Sequence, residues 1–246
     1  MTTSERVRVA GRVASRLATK GAHAVVLVGS VARGDDHEGS DLDIVAIGAG
    51  PAYALDVFEH ELISMSWKTT ALVREQFDDP FIAGGVIPAW RGALMLHDPN
   101  GIGASLQHAA HSWEWDRIHT QCERAVASEL VELAEEVHRL VGLRLAGRVR
   151  AAAPIRWALA RSLVRAMAIH NRLLYDSENA MWDLVNSVMG QDWERDFDIA
   201  VGVQRGAADL AALSLYRQAV ARADRVLTGQ QRTVTDAALR MSDRAI

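Results

Sequence analysis

Apolar residues recur along this chain in two rhythms. In the first hundred residues they come in short runs. Residues 23–29 (HAVVLVG) are β-branched and apolar and predict a buried strand. Residues 41–48 (DLDIVAIG) alternate: Asp41, Asp43, Val45 and Ile47 fall on one face, Leu42, Ile44 and Ala46 on the other. A short helical piece and a polar loop, ARGDDHEGS, lie between them. Residues 61–68 predict a third strand and residues 92–96 a fourth, closed by the turn Asp98-Pro99-Asn100-Gly101. Val7, Val13 and Leu17 fit an N-terminal helix ending at Gly21, and residues 71–77 are helical in pattern.

After about residue 104 the rhythm changes. Strand signals stop and alanine, leucine and arginine dominate. Residues 121–145 predict one long amphipathic helix. Pro154 suits the first position of another, running to about Tyr175. Ser177 caps a third that stops at Gly190, residues 208–227 make a fourth, and the tail a fifth. The expected fold class is α+β: a mixed sheet with flanking helices over residues 1–104, then an all-helical bundle over 105–246.

Composition sharpens this. Of 246 residues, 49% are hydrophobic and 24% charged, which suits a packed core rather than disorder. The formal net charge of −4 argues against a nucleic-acid partner, because phosphate binding leaves a basic balance. One cysteine, Cys122, excludes an internal disulfide and a multi-cysteine zinc site. No run approaches the roughly 18 apolar residues of a membrane span, and the polar N-terminus is no secretory signal. The expectation is a soluble, cytoplasmic protein with no membrane partner. Nothing in the sequence fixes an oligomeric state.

The chemistry concentrates in VLVGSVARGDDHEGSDLDIVAIG. Two carboxylates at i and i+2 on a strand, Asp41 and Asp43, project from one face. Side by side they repel, so each needs a cation to stay ionised. Mg²⁺ fits, since it takes carboxylate oxygens together with substrate phosphates. Gly29-Ser30 ends a strand and opens a helix, where backbone N–H groups and the Ser30 hydroxyl can hold phosphate oxygens. A phosphate cradle beside a metal-binding pair is the layout of metal-assisted phosphoryl or nucleotidyl transfer. Asp35, Asp36 and Glu38 read as a solvated polar turn. Arg33 sits where it can reach a phosphate or lie on the surface.

This segment resembles the polymerase-beta-type nucleotidyltransferase superfamily, whose signature G-S-x-A-x-G followed by D-x-D stands here as Gly29, Ser30, Ala32, Gly34, Asp41 and Asp43. The resemblance implies that Gly29 and Ser30, with Arg33, bind the phosphates of ATP or another NTP. Asp41 and Asp43 would hold Mg²⁺, and an acceptor hydroxyl would displace pyrophosphate. It also implies a third carboxylate on a neighbouring strand. Glu61 is the choice, with Glu59 beside it, although Ser64 stands where the acid would be expected. Lys68, one of two lysines, is either a triphosphate ligand or a solvated strand end.

The helical half is similar in plan to aminoglycoside- and lincosamide-type small-molecule nucleotidyltransferases. There the acceptor base would be a carboxylate, with Glu129, Glu132 and Glu136 as candidates on one helix face, or else a solvated acidic face. Eight arginines and no acid lie between Val137 and Tyr175. Arg161, Arg165 and Arg172 would share a helix face, free to meet phosphates or to pair with the acidic segment that follows. His108 and His111 lack a third zinc ligand, and Trp113 and Trp115 read as packing. The expected enzyme is a Mg²⁺-dependent nucleotidyltransferase moving AMP from ATP to a small-molecule hydroxyl, such as that of an antibiotic. A protein-nucleotidylating regulator of antitoxin type and a catalytically weakened nucleotide-binding protein are the alternatives.

Overall fold

The first helix, α1 (Thr3–Thr19), shows how the chain builds its sheet layer. Thr2 accepts from the Glu5 N–H while the Glu5 carboxylate accepts from the Thr2 N–H, a reciprocal cap. Val9, Ala10, Val13, Ala14 and Leu17 recur at helical spacing and are all buried. The computed structural model describes residues 2–245. Five strands follow: β1 (Ala24–Val28), β2 (Leu42–Ile47), β3 (Ala54–Phe58), β4 (Glu61–Lys68) and β5 (Leu94–His97). They lie in the order β3-β4-β2-β1-β5, with β2 and β4 parallel and every other pair antiparallel.

The two faces of this mixed sheet differ. Val25, Leu27, Leu42, Ile44, Ala46, Ile63 and Trp67 pack with the apolar stripe of α1. Ala24, Val26, Val45 and Ile47 alternate with them and are buried on the other face. Four further helices complete the layer: α2 (Gly29–Arg33), α3 (Thr70–Phe77), α4 (Pro80–Arg91) and α5 (Ile102–His111). The last three pack on one another, and α5 lies on β1. Phe77 and Trp90 meet edge to face with centroids 6.4 Å apart.

Two of these elements escape the hydrophobic pattern. β3 is an edge strand whose Leu55 and Val57 point outward and stay exposed. Its hairpin to β4 turns at Glu59 and His60, both with positive φ, where glycine or asparagine is the usual signal. α4 holds Gly84, Gly85 and Pro88, residues that argue against a helix, but Asp79 caps it by accepting from the Phe81 N–H at 2.8 Å and Pro80 takes the first position.

The chain divides into two compact units, Met1–Arg117 and Ile118–Ile246. The compositional shift near 104 falls inside α5, which packs with the first unit. The second unit is all helix: α6 (His119–Leu145), α7 (Val149–His170), α8 (Glu178–Met189), α9 (Gln191–Val201), α10 (Ala208–Arg222) and α11 (Gly229–Ser242). α6 packs on α7, α10 and α11, and the buried Tyr216 hydroxyl donates to the Leu130 carbonyl at 2.9 Å. Ser177 caps α8 as expected, accepting from the Ala180 N–H. Gly190 both ends α8 and opens α9, a break too short to mark a separate helix in the sequence.

The expected arginine stripe is cut short: Arg161 and Arg165 lie four residues apart on one helix, but Arg172 does not join them. α7 begins at Val149, so Pro154 sits inside its second turn rather than at its start, and it ends at His170. Arg172 lies beyond it at φ 55, donating to the Ile169 carbonyl at 2.7 Å. Arg156, from the same run, pairs with Asp209 at 2.9 Å within the unit. Among the described residues no helix is long and apolar enough to cross a membrane.

Candidate active site

β1 delivers the chain to Gly29 at φ +75, a conformation that costs an L side chain roughly 1–2 kcal/mol. There is a second demand on this glycine. A Cβ there would lie 2.3 Å from Asp43 Oδ2 and 3.2 Å from its Cγ. The Asp43 carboxylate therefore rests against the bare Cα of Gly29. Ser30 follows in the single turn of α2, which is anchored by buried Val31. It closes at Gly34, whose N–H donates to the Ser30 carbonyl at 2.8 Å. Arg33 pairs with Asp35 at 3.2 Å, its stem alongside Gly92.

Asp43 is paired with Val28 across the β1–β2 ladder. Burial pushes its carboxyl up to about 6, the nearby Asp41 charge adds to the rise, and Arg33 opposes it. A half-buried carboxylate whose ionisation is opposed by burial and by a neighbouring acid is a donor in need of a cation. Mg²⁺ fits such a donor and its neighbour, because it keeps water and phosphate oxygens for its other positions. Among the described residues no group of three or more His, Cys, Asp or Glu gathers around one point.

The parallel β2–β4 register settles what stands next to the pair. Asp43 is level with Ser64, Val45 with Ser66 and Ile47 with Lys68. Ser64, Ser66 and Lys68 thus share the face of Asp43. Lys68 is half-buried, donates to Gln76 Oε1 at 2.9 Å and has its pKa lowered by burial.

Glu61 is three positions from Ser64, so it belongs to the opposite face, with Ile63 and Trp67. The structure gives it a different partner from the expected metal. Its Oε2 accepts from Arg6 Nε at 2.9 Å and from the other guanidinium arm at 2.7 Å. Arg6 is only 4% exposed. It also donates to Asp36 at 2.9 Å and to the Ser40 carbonyl, while the Thr3 hydroxyl donates to Asp36 at 2.7 Å. Asp36 is therefore no solvated turn residue. The hydroxyl of Thr3 and the guanidinium of Arg6 hold its carboxyl below the usual range. Glu59 faces α1 as well, bound by Arg12 at 2.8 Å.

Arg6 was not marked out by the motif, yet a signal was present: it falls on the apolar stripe of α1, where a charge must find a partner. It ties the loop that carries Asp41 and the start of β4 to one helix. Arg6→Met should lower the melting temperature by about 5 °C at pH 7, because two carboxylates lose their cation. Asp36 stabilises above its unfolded pKa and ceases to do so as pH falls through its lowered folded value. The difference in melting temperature should accordingly shrink as pH falls below the ordinary aspartate value of 3.8.

Residues 11–83 match the family model described as a nucleotidyltransferase domain, a span that contains Gly29, Ser30, Arg33, Asp41, Asp43, Glu61, Ser64 and Lys68. No curated protein matches the chain significantly. Among solved structures, a nucleotidyltransferase-like protein from Exiguobacterium sibiricum 255-15 is similar in fold. Its TM-score is 0.53 at 10% identity, over 95% of this chain and 77% of that one. Residues 11–83 are thus similar to a nucleotidyltransferase domain, and an all-helical unit follows in the chain.

Proposed function

We propose that the protein is a Mg²⁺-dependent nucleotidyltransferase that moves a nucleoside monophosphate, AMP from ATP, onto a hydroxyl of a small-molecule acceptor. The observation that carries this reading is the Asp43 carboxylate lodged against the bare Cα of Gly29, with Asp41 beside it. Asp41 and Asp43 would hold the metal, which when bound supplies positive charge to the phosphates. Ser30 and the backbone that follows Gly29 would orient the β and γ phosphates, with Arg33 turning from Asp35 to meet them. The acceptor oxygen forms a bond to the α-phosphorus, the bond from phosphorus to pyrophosphate breaks, and the hydroxyl proton passes to solvent.

Ser64, level with Asp43, favours a second reading in which turnover is weak for want of a third carboxylate. Pyrophosphate release from ATP against Mg²⁺ concentration separates the two. Under the first reading the wild type turns over, and Ser64→Asp lowers the Mg²⁺ concentration for half-maximal rate by about tenfold, a gain of about 1.4 kcal/mol. A wild type that binds ATP and Mg²⁺ without release, with release gained in Ser64→Asp, supports the second. The first reading fails if ATP and Mg²⁺ do not bind at all.

A further inference from the structure

The sheet face that carries the aspartates continues past them onto an apolar platform. Across the parallel register Asp43 is level with Ser64, and across the hairpin Ser64 is level with Leu55 and Leu62 with Val57. Leu62, two positions before Ser64, shares its face. Strands lie about 5 Å apart, so the platform begins one strand from Asp41 and Asp43. Its side chains are open to solvent: Leu55 is 57% exposed, Val57 66% and Leu62 47%. Three such residues together on an edge hairpin are more than the scattered exposure expected of a surface.

The side on which the platform lies matters. Gly29, Ser30 and Arg33 follow β1 and so lie on the β1 flank of the aspartates. In-line displacement sets the attacking oxygen opposite the leaving pyrophosphate. With the phosphates held on the β1 flank, as proposed, the acceptor would enter from the β4–β3 flank, over the platform.

Charge narrows the acceptor further. The carboxylates of the hairpin are turned to the other face. Glu61 is bound by Arg6 and Glu59 by Arg12. Asp56 is level with Ile63 and accepts from the Val57 N–H. On the platform side Asp41 and Asp43 are the acids of this stretch, and both are committed to the metal. A polyamino sugar would find apolar side chains where it needs anions.

Resting on the proposed nucleotidyl transfer, we infer that Leu55, Val57 and Leu62 seat the acceptor, and that the acceptor is a hydroxylated molecule with a flat apolar face, such as an aromatic alcohol, rather than a polycationic sugar.

The test is direct binding to the full chain in the presence of Mg²⁺ and α,β-methylene-ATP, by isothermal titration with 2-naphthol and with kanamycin as probes. The wild type should bind 2-naphthol, and Val57→Glu and Leu62→Glu should each weaken it at least tenfold. Both positions are exposed, and unchanged thermal melts and unchanged binding of the ATP analogue report an intact fold and phosphate site. Kanamycin should bind more weakly than 2-naphthol. Equal naphthol affinity in the variants, or tighter binding of kanamycin, overturns the inference. So does a wild-type dimer in sedimentation that Val57→Glu splits, because the platform would then be covered by a second copy. Naphthol binding that follows the platform variants, with no Mg²⁺-dependent pyrophosphate release for any aromatic alcohol, supports the platform and overturns the transfer reading alone.

Discussion

Asp43→Asn should make the metal-free protein more stable at pH 7.5 and cut the proposed nucleotidyl transfer about a thousandfold. The Asp43 carboxyl sits at about 6 in the folded chain, above its ordinary value of 3.8, because of burial and the Asp41 charge. A raised carboxyl costs nothing below its unfolded pKa. The cost grows as pH rises from about 4 to 6 and is complete above that. Asparagine keeps the shape and escapes the charge. After allowance for partial exposure the gain is about 1–2 kcal/mol at pH 7.5, a few degrees in melting temperature, and it should vanish at pH 4. Mg²⁺ should raise the melting temperature of the wild type and leave the variant unmoved. Turnover should fall about a thousandfold, roughly 4 kcal/mol of transition-state stabilisation. A variant less stable than the wild type at pH 7.5 would contradict the electrostatic account.

Gly29→Ala should lose activity by more than a hundredfold, and Gly34→Ala should keep it. Both glycines have positive φ, +75 and +82, so both substitutions pay the backbone cost of roughly 1–2 kcal/mol. Only at Gly29 does the new Cβ meet the Asp43 carboxylate; at Gly34 nothing lies within 4 Å. Asp43 relieves that contact most readily by turning its carboxylate, the far end of its side chain, away from its place beside Asp41. Stability should therefore fall by similar amounts in the two variants while kcat/KM separates them. Equal activity would mean that the approach of Asp43 to Gly29 has no part in the chemistry.

The half of the candidate site built from neighbours in sequence was legible there. Gly29, Ser30, Asp41 and Asp43 are fixed by one strand, one turn and the alternation of the next strand. The other half depends on register, which sequence does not carry. Glu61 and Ser64 lie in a strand located correctly at 61–68, but which of them faces Asp43 is a matter of parity against β2. β3 stayed hidden because its apolar residues face outward and its turn uses Glu59 and His60. In the helical unit, α6 and α8 were readable from periodicity and a cap. The face shared by Arg161 and Arg172 was not, because it assumed a helix that runs on past His170.

The grip of α1 on the hairpin has a consequence for how this protein tolerates change. Arg6 holds Glu61, Arg12 holds Glu59, and Arg16 lies 4.0 Å over the Phe58 ring. The odd positions of β4 thus face α1, and its even positions 62, 64 and 66 share the face of Asp43, where the proposed site lies. Under the proposed function, substitutions at the even positions should retune recognition while the scaffold persists. Those at the odd positions should trade against stability and leave recognition alone. One strand, read two residues at a time, separates the evolvable part of the domain from the part that must stay as it is.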